Sequence, residues 1–113
     1  MKVVFDYLDE FERGATELRK KYPSFESDYD TFLSELEANP YSGESLGQHT
    51  YKNRMAIASK GKCKSGGARV LTYNLQQQSE DEVLITLMTI YDKSDIENVS
   101  DAYIRSLVQQ IEK

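Results

Sequence analysis

Residues 83–91 read VLITLMTIY, and this stretch decides the fold. The run is apolar almost throughout and rich in residues that favour strands. It is far shorter than the roughly 20 apolar residues that a membrane-spanning helix needs. A strand that is apolar on both sides lies inside a sheet whose two faces are covered. The rest of the chain must therefore supply neighbouring strands and covering helices.

Two neighbouring strands are predicted just before this run. Residues 51–58 alternate between Tyr, Asn, Met and Ile on one side and Lys, Arg and Ala on the other, as strand residues do. Ala68 to Leu75 forms a second strand-like run. The loop at 60–67 and the polar turn at 76–81 are short, so the three strands are predicted to form an antiparallel meander.

Helices are predicted before and after this meander along the sequence. Lys2 to Leu8 reads as a first strand, and from Asp9 the apolar residues recur at helical spacing. Pro23 ends this helix, and Ser24 is a candidate cap for a second one. A last helix carries its apolar stripe at 104–111, with Asn98 or Ser100 as its cap.

The predicted order is thus β-α-α-β-β-β-α, an α+β fold with an antiparallel sheet. Residues 1–113 are expected to form a single domain, because no linker or repeat interrupts them. The N-terminus does not resemble a signal peptide, and no apolar run predicts a membrane span. Cys63 is the only cysteine, so no internal disulfide is possible and a cytoplasmic location is expected.

Charge is distributed unevenly along the chain. The 14 basic and 19 acidic residues give a net charge of −5. Residues 45–79 nevertheless contain six basic residues and no acid, so the remainder carries 8 minus 19, or −11. A basic surface on an otherwise acidic protein attracts polyanions locally. We therefore interpret this segment as a candidate RNA-binding surface.

Three groups of residues are candidates for that surface. Lys52 and Arg54 project from the same face of one predicted strand. A basic loop contains lysines and glycines that could approach a phosphate closely, namely Lys60, Lys62, Lys64, Gly66 and Gly67. Arg69, Tyr91 and Lys93 lie at strand ends that a meander can bring together. The alternative is that the cations are merely solvated and that Tyr91 is half-buried packing.

Several other chemistries find no support in the sequence. His49 is the only histidine and has no second ligand nearby, so a metal site is not expected. The chain has no P-loop, no GxSxG motif and no plausible Ser-His-Asp set. Nucleotide hydrolysis and acyl transfer are therefore not indicated.

Most of the chain, from about Phe11 to Val99, resembles the RelE/ParE superfamily of bacterial toxins. The resemblance rests on NPYSG (39–43), YKNRMAIASKGKCKSGGARVLTY (51–73) and LITLMTIYDKSDIENV (84–99). The RelE and HigB type of messenger-RNA endonuclease is the most similar branch. This resemblance implies a type II toxin that cuts messenger RNA on the ribosome and is silenced by an antitoxin, commonly a helix-turn-helix protein encoded next to it.

The resemblance also implies a reaction that uses no metal or other cofactor. The 2′-hydroxyl attacks the adjacent phosphate and leaves a cyclic phosphate end. By this likeness Arg69 would stabilise the phosphorane, and Lys93 would stabilise charge or act as general acid. Lys52 and Arg54 would bind phosphate or assist proton transfer, and the loop lysines would anchor RNA.

The chain departs from the family at Val99, where several RelE toxins carry a catalytic tyrosine. Tyr91, Tyr73 or a lysine could accept the proton instead. Two other functions therefore stay open. One is inhibition of DNA gyrase, as in the ParE branch, and the other is a degenerate toxin that only binds its antitoxin or DNA.

Overall fold

The structure is a computed structural model that describes residues 2–60, 66–77, 81–96 and 98–112. Five strands and three helices follow one another in the order β-α-α-β-β-β-β-α within these residues. They are β1 (Lys2–Tyr7), α1 (Asp9–Lys21), α2 (Phe25–Ala38), β2 (Glu44–Gly47), β3 (Thr50–Met55), β4 (Ala68–Gln77), β5 (Glu82–Asp92) and α3 (Asp101–Glu112). A 3₁₀ turn at Ala58–Lys60 follows β3.

The strands form one sheet in the order β1-β5-β4-β3-β2. The predicted meander is present, since β3, β4 and β5 pair antiparallel. The expectation of an antiparallel sheet throughout was wrong, because β1 pairs with β5 in parallel. The two helices that follow β1 carry the chain to the far edge of the sheet, and the meander then returns to β1. Since β5 arrives in the same direction as β1, the sheet is mixed.

The strand β2 was not predicted from the sequence. It has only four residues, ESLG, and none of them except Leu46 is apolar. The turn that joins it to β3 has positive φ at Gln48 (50°) and His49 (64°), as in the tight turns of β-hairpins. Such turns are usually recognised by Asn-Gly or Asp-Gly, and this sequence has neither here. The hairpin therefore has no recognisable sequence signal.

The sheet is covered on both faces. A core formed with Phe11, Leu18 and Phe32 lies between the sheet and the helices α1 and α2. A second core, formed with Leu107 and Val108 of α3, covers the opposite face. Strand β5 lies between β1 and β4 and is buried along almost its whole length, as its apolar sequence predicts.

Local contacts set the positions of the helices. Gly14 allows α1 to approach β5, since a Cβ there would lie 2.4 Å from the carbonyl oxygen of Ile90. Ser100 caps α3, because its hydroxyl accepts a hydrogen bond from the backbone N–H of Tyr103 at 3.1 Å. Ser24 precedes α2, but its hydroxyl donates to the carboxylate of Asp28 instead of capping the helix.

Candidate functional site: a basic groove at the open end of the sheet

Four of the predicted basic residues line one groove of about 710 Å³. This basic groove lies between the C-terminal half of α2, the segment that follows it, strand β3 and the end of β5. Its cationic lining residues are Lys52, Arg54, Arg69 and Lys93. Carboxylates are present too, since Glu35 and Glu44 also line it. The sequence interpretation placed Lys52 and Arg54 on one strand face and Arg69 and Lys93 at strand ends that a meander can bring together, and in the structure all four line this groove.

Two of the lining residues are arginines on neighbouring strands. Arg54 of β3 lies directly opposite Arg69 of β4 in the antiparallel register. Side chains of directly opposite residues start about 5 Å apart on the same face, and like charges in such a pair repel each other. Arg54 is exposed, whereas Arg69 is only 6% exposed. An anion held between the two guanidinium groups would relieve this repulsion.

Arg69 is buried at the sheet surface and does not extend into solvent. One of its guanidinium nitrogens donates to the carbonyl oxygen of Ala68 at 3.3 Å. Its other cross-strand neighbour is Tyr91 of β5. A buried guanidinium is held in one orientation, which suits a group that must present charge to one position.

Lys52 and Lys93 are the other two cations that line the groove. The ammonium of Lys52 is 3.6 Å from the carboxylate of Glu44, whose side chain is 66% exposed. Such a pair is weak in water, so a phosphate can replace the carboxylate at little cost. The backbone N–H of Lys93 donates to the carbonyl oxygen of Gly67 at 3.1 Å, which extends the β4–β5 ladder past its last pair.

Lys60 occupies a different place from the one predicted. Its ammonium is 2.7 Å from the carboxylate of Asp92 and 3.0 Å from the hydroxyl of Ser94. The Lys60 side chain is 6% exposed. Asp92 pairs with Ala68 in the register, so it faces the opposite side of the sheet from Arg69. Lys60 is therefore turned away from the basic groove and holds a buried carboxylate.

Asp92 is a buried centre of charge that the sequence interpretation missed. Its carboxylate accepts a hydrogen bond from the hydroxyl of Tyr22 at 2.5 Å and another from the backbone N–H of Ser94 at 2.8 Å. Burial alone would raise the pKa of Asp92, but the hydrogen bonds from Lys60, Tyr22 and Ser94 outweigh it and hold this pKa well below its usual range. The motif IYDK gives no sign of this, because Tyr22 and Lys60 are distant in sequence.

The remaining residues of the predicted basic loop divide into two groups. Lys62 and Lys64 lie outside the described residues, so their predicted RNA contacts stay predictions. Gly67 is buried, and a Cβ there would lie 2.2 Å from the carbonyl oxygen of Met55. That contact makes Gly67 necessary for packing β4 against β3. Gly66 is half-buried.

Tyr91 lines a second cavity instead of the basic groove. This cavity of about 830 Å³ lies between α1, β5 and the segment that leads into α3. The Tyr91 hydroxyl is buried and has no hydrogen-bond partner among the described residues. Burial raises its pKa, and the nearby Arg69 guanidinium only partly opposes this. A phenol in this environment is a poor proton acceptor.

The other two positions linked to proton transfer also lie away from the groove. Tyr73 donates a hydrogen bond to the carboxylate of Glu112, which with burial raises its pKa to about 12. Val99 is half-buried and packs against the α3 core. Among the described lining residues of the basic groove, the groups able to carry a proton are lysines and carboxylates.

No protein-family model matches this chain. Among the described residues, none of the helices is long and apolar enough to span a membrane. The basic groove is the feature of the structure that indicates what the protein binds.

Proposed function

We propose that this protein is a metal-independent endoribonuclease of the RelE/HigB type, the toxin of a type II toxin–antitoxin system. One observation carries the proposal: Arg54 and Arg69 lie directly opposite each other on two adjacent strands, in a groove that Lys52 and Lys93 also line. The resemblance of residues 39–43, 51–73 and 84–99 to that family points to the same function. The proposed substrate is messenger RNA, cut while it is on the ribosome.

The proposed reaction uses the arrangement of the four cations. The 2′-hydroxyl of one nucleotide loses its proton and attacks the adjacent phosphorus, and the bond from phosphorus to the 5′-oxygen breaks. Arg69, held in one orientation, stabilises the extra negative charge of the phosphorane together with Arg54. Lys93, which also lines the groove, stabilises charge or protonates the 5′-oxygen. The products are a 2′,3′-cyclic phosphate and a 5′-hydroxyl.

The group that accepts the proton is proposed to be a lysine. The described tyrosines that could replace the missing family tyrosine lie outside the groove, and Tyr91 and Tyr73 both have raised pKa values. Lys52 is the candidate that lies on the same strand face as Arg54. For this step Lys52 must first give up its own proton, and its nitrogen can then take the proton of the 2′-hydroxyl once the substrate has displaced Glu44.

A protein that binds without cutting is the second candidate. The observation that favours it is the position of Tyr91, which lines the other cavity, so that the groove has no tyrosine among its described lining residues. In that case the groove would hold an anionic partner through charge alone. An antitoxin segment or DNA would fit that description.

Induction of the protein without its antitoxin tests the proposal. Growth should stop, and sequencing of messenger-RNA ends should show new 5′-hydroxyl ends within translated regions. Induction of the Arg54→Gln variant is the matched control, because Arg54 is exposed and its loss should leave the fold intact. Growth arrest with intact messages and lost DNA supercoiling would favour gyrase inhibition, and normal growth with soluble protein would contradict the toxin hypothesis.

A further inference from the structure

The segment between α2 and β2 presents an exposed aromatic ring beside the basic groove. Tyr41 is 39% exposed, and its ring packs edge-to-face on Tyr51 with centroids 6.0 Å apart. The next two residues, Ser42 and Gly43, line the groove, as does Asn53, which lies on the same face of β3 as Tyr51. The ring therefore stands at the margin of the site.

This segment is fixed to the sheet at several points. The carbonyl oxygen of Pro40 accepts a hydrogen bond from the side-chain amide of Asn74 at 2.6 Å. The hydroxyl of Ser42 lies 3.3 Å from the side-chain oxygen of Asn53, to which it donates. Gly43 has a φ of +99°, and a Cβ there would lie 2.7 Å from the carbonyl oxygen of Lys52. The position of Tyr41 is thus set before any ligand arrives.

We propose that Tyr41, supported by Tyr51, is a stacking platform for an unpaired base of single-stranded RNA whose backbone lies in the basic groove. Proteins that hold single strands combine a cationic groove for phosphates with aromatic side chains on which bases stack. An edge-to-face pair leaves one ring with a face available to a base. A ring that is already fixed also binds without the cost of ordering a loop.

The proposal deepens the proposed function and rests on it. It predicts that the protein recognises RNA in single-stranded form, since a base within a duplex is not available for stacking. It also assigns a role to a residue outside the cationic set. Stacking tolerates any base, so Tyr41 would contribute affinity and position more than sequence preference.

Fluorescence of a Tyr41→Trp variant tests the platform directly. The chain contains no tryptophan, so the introduced indole would be the only one. The probe is a short single-stranded 2′-O-methyl RNA, which lacks the attacking hydroxyl and can bind without being cut. We expect this probe to quench the indole, whereas an abasic oligomer with the same number of phosphates should bind without quenching it. Equal quenching by both oligomers would overturn the proposal.

Affinity measurements on the parent sequence give an independent test. Tyr41→Ala should weaken binding of the 2′-O-methyl RNA by roughly tenfold or more. Tyr41→Phe, which retains the ring, should lose much less. Tyr7→Ala is the matched control, because Tyr7 is 54% exposed but lies on β1 at the opposite edge of the sheet. Far-UV circular dichroism and thermal unfolding would establish that each variant is folded.

The outcomes separate the platform from the proposed function. If RNA binds with a steep salt dependence and Arg54→Gln weakens it, but Tyr41→Ala does not, only the platform is wrong. If no variant and no parent protein binds the oligomer at low salt, the proposed function fails and the platform with it. If the base-containing probe quenches the indole while messenger RNA on translating ribosomes is not cut, the platform stands and the nuclease activity is refuted.

Discussion

Replacement of Asp92 by asparagine should destabilise the protein strongly. Lys60 and Asp92 are 2.7 Å apart, with side chains 6% and 1% exposed. Removing one partner of a buried ion pair leaves the other charge without compensation and costs about 3–5 kcal/mol. The amide keeps the shape of the carboxylate and can still accept from the N–H of Ser94. We therefore expect a loss of about 3 kcal/mol in the free energy of unfolding, at the low end of that range.

Such a loss is large for a domain of this size. Small domains have unfolding free energies of about 5–15 kcal/mol, and 3 kcal/mol corresponds to a fall of roughly 10 °C or more in Tm. Urea unfolding followed by far-UV circular dichroism at pH 7 would measure it, with the slope m expected to stay unchanged. Glu44→Gln is the control, because its partner Lys52 is at 3.6 Å and Glu44 itself is exposed. That change should cost less than about 1 kcal/mol.

The pH dependence of this stability loss would show that the missing charge of Asp92 is its cause. The pKa of Asp92 is lower in the folded protein than in the unfolded chain, so its contribution is fully present above about pH 4, the ordinary carboxyl pKa. The contribution is lost as the pH falls through the lower, folded pKa. The difference between parent and Asp92→Asn should therefore shrink progressively below about pH 4. A difference under 1 kcal/mol at pH 7, or one that does not shrink on acidification, would refute this reasoning.

Three further predictions concern the groove and its neighbour. Arg54→Gln should lower the salt slope of RNA binding by about one and leave stability within about 0.5 kcal/mol, as measured by affinity at several salt concentrations. Arg69→Ala should slow single-turnover cleavage on the order of 10²–10³-fold. Because the Arg69 side chain is buried, this change should also lower Tm. Arg69→Lys should recover the stability of the protein more than its cleavage rate. Tyr91→Phe removes a buried hydroxyl that has no partner among the described residues, so thermal unfolding should show unchanged or slightly higher stability and cleavage should persist. Loss of cleavage in folded Tyr91→Phe would return Tyr91 to the reaction.

The elements with strong periodic patterns could be predicted from the sequence. The apolar run at 83–91 is the buried strand β5, and the stripes that begin at Leu8 and Ile104 mark helices α1 and α3. These segments are defined by the period of their own residues, so no distant contact is needed to recognise them. The mixed direction of the sheet could not be predicted, because pairing of β1 with β5 depends on where two helices carry the chain.

In the candidate site too, local sequence patterns could be predicted and contacts between distant residues could not. Lys52 and Arg54 share a face because strand residues alternate, and Arg69 joins them because β3 and β4 pair antiparallel with Arg54 opposite Arg69. Lys60 could not be placed by such reasoning, since a lysine in a Gly-rich segment reads as solvated whether or not a buried carboxylate lies nearby. The partners that bury it, Asp92 and Tyr22, are more than 30 residues away in either direction.

The buried network of Lys60, Asp92 and Tyr22 and the basic groove lie on opposite sides of the end of β5. Asp92 and Lys93 are adjacent, so the contacts that hold the Asp92 carboxylate on the face covered by α1 and α2 also restrict the backbone that carries Lys93. Arg69 is restricted in the same way by its neighbour Ala68, which pairs with Asp92 in the register. A buried ion pair contributes little net stability compared with apolar packing. We infer that this pair serves to fix two cations at one position, as the proposed phosphate site requires, because a displacement of 1 Å would cost much of their effect on a phosphate.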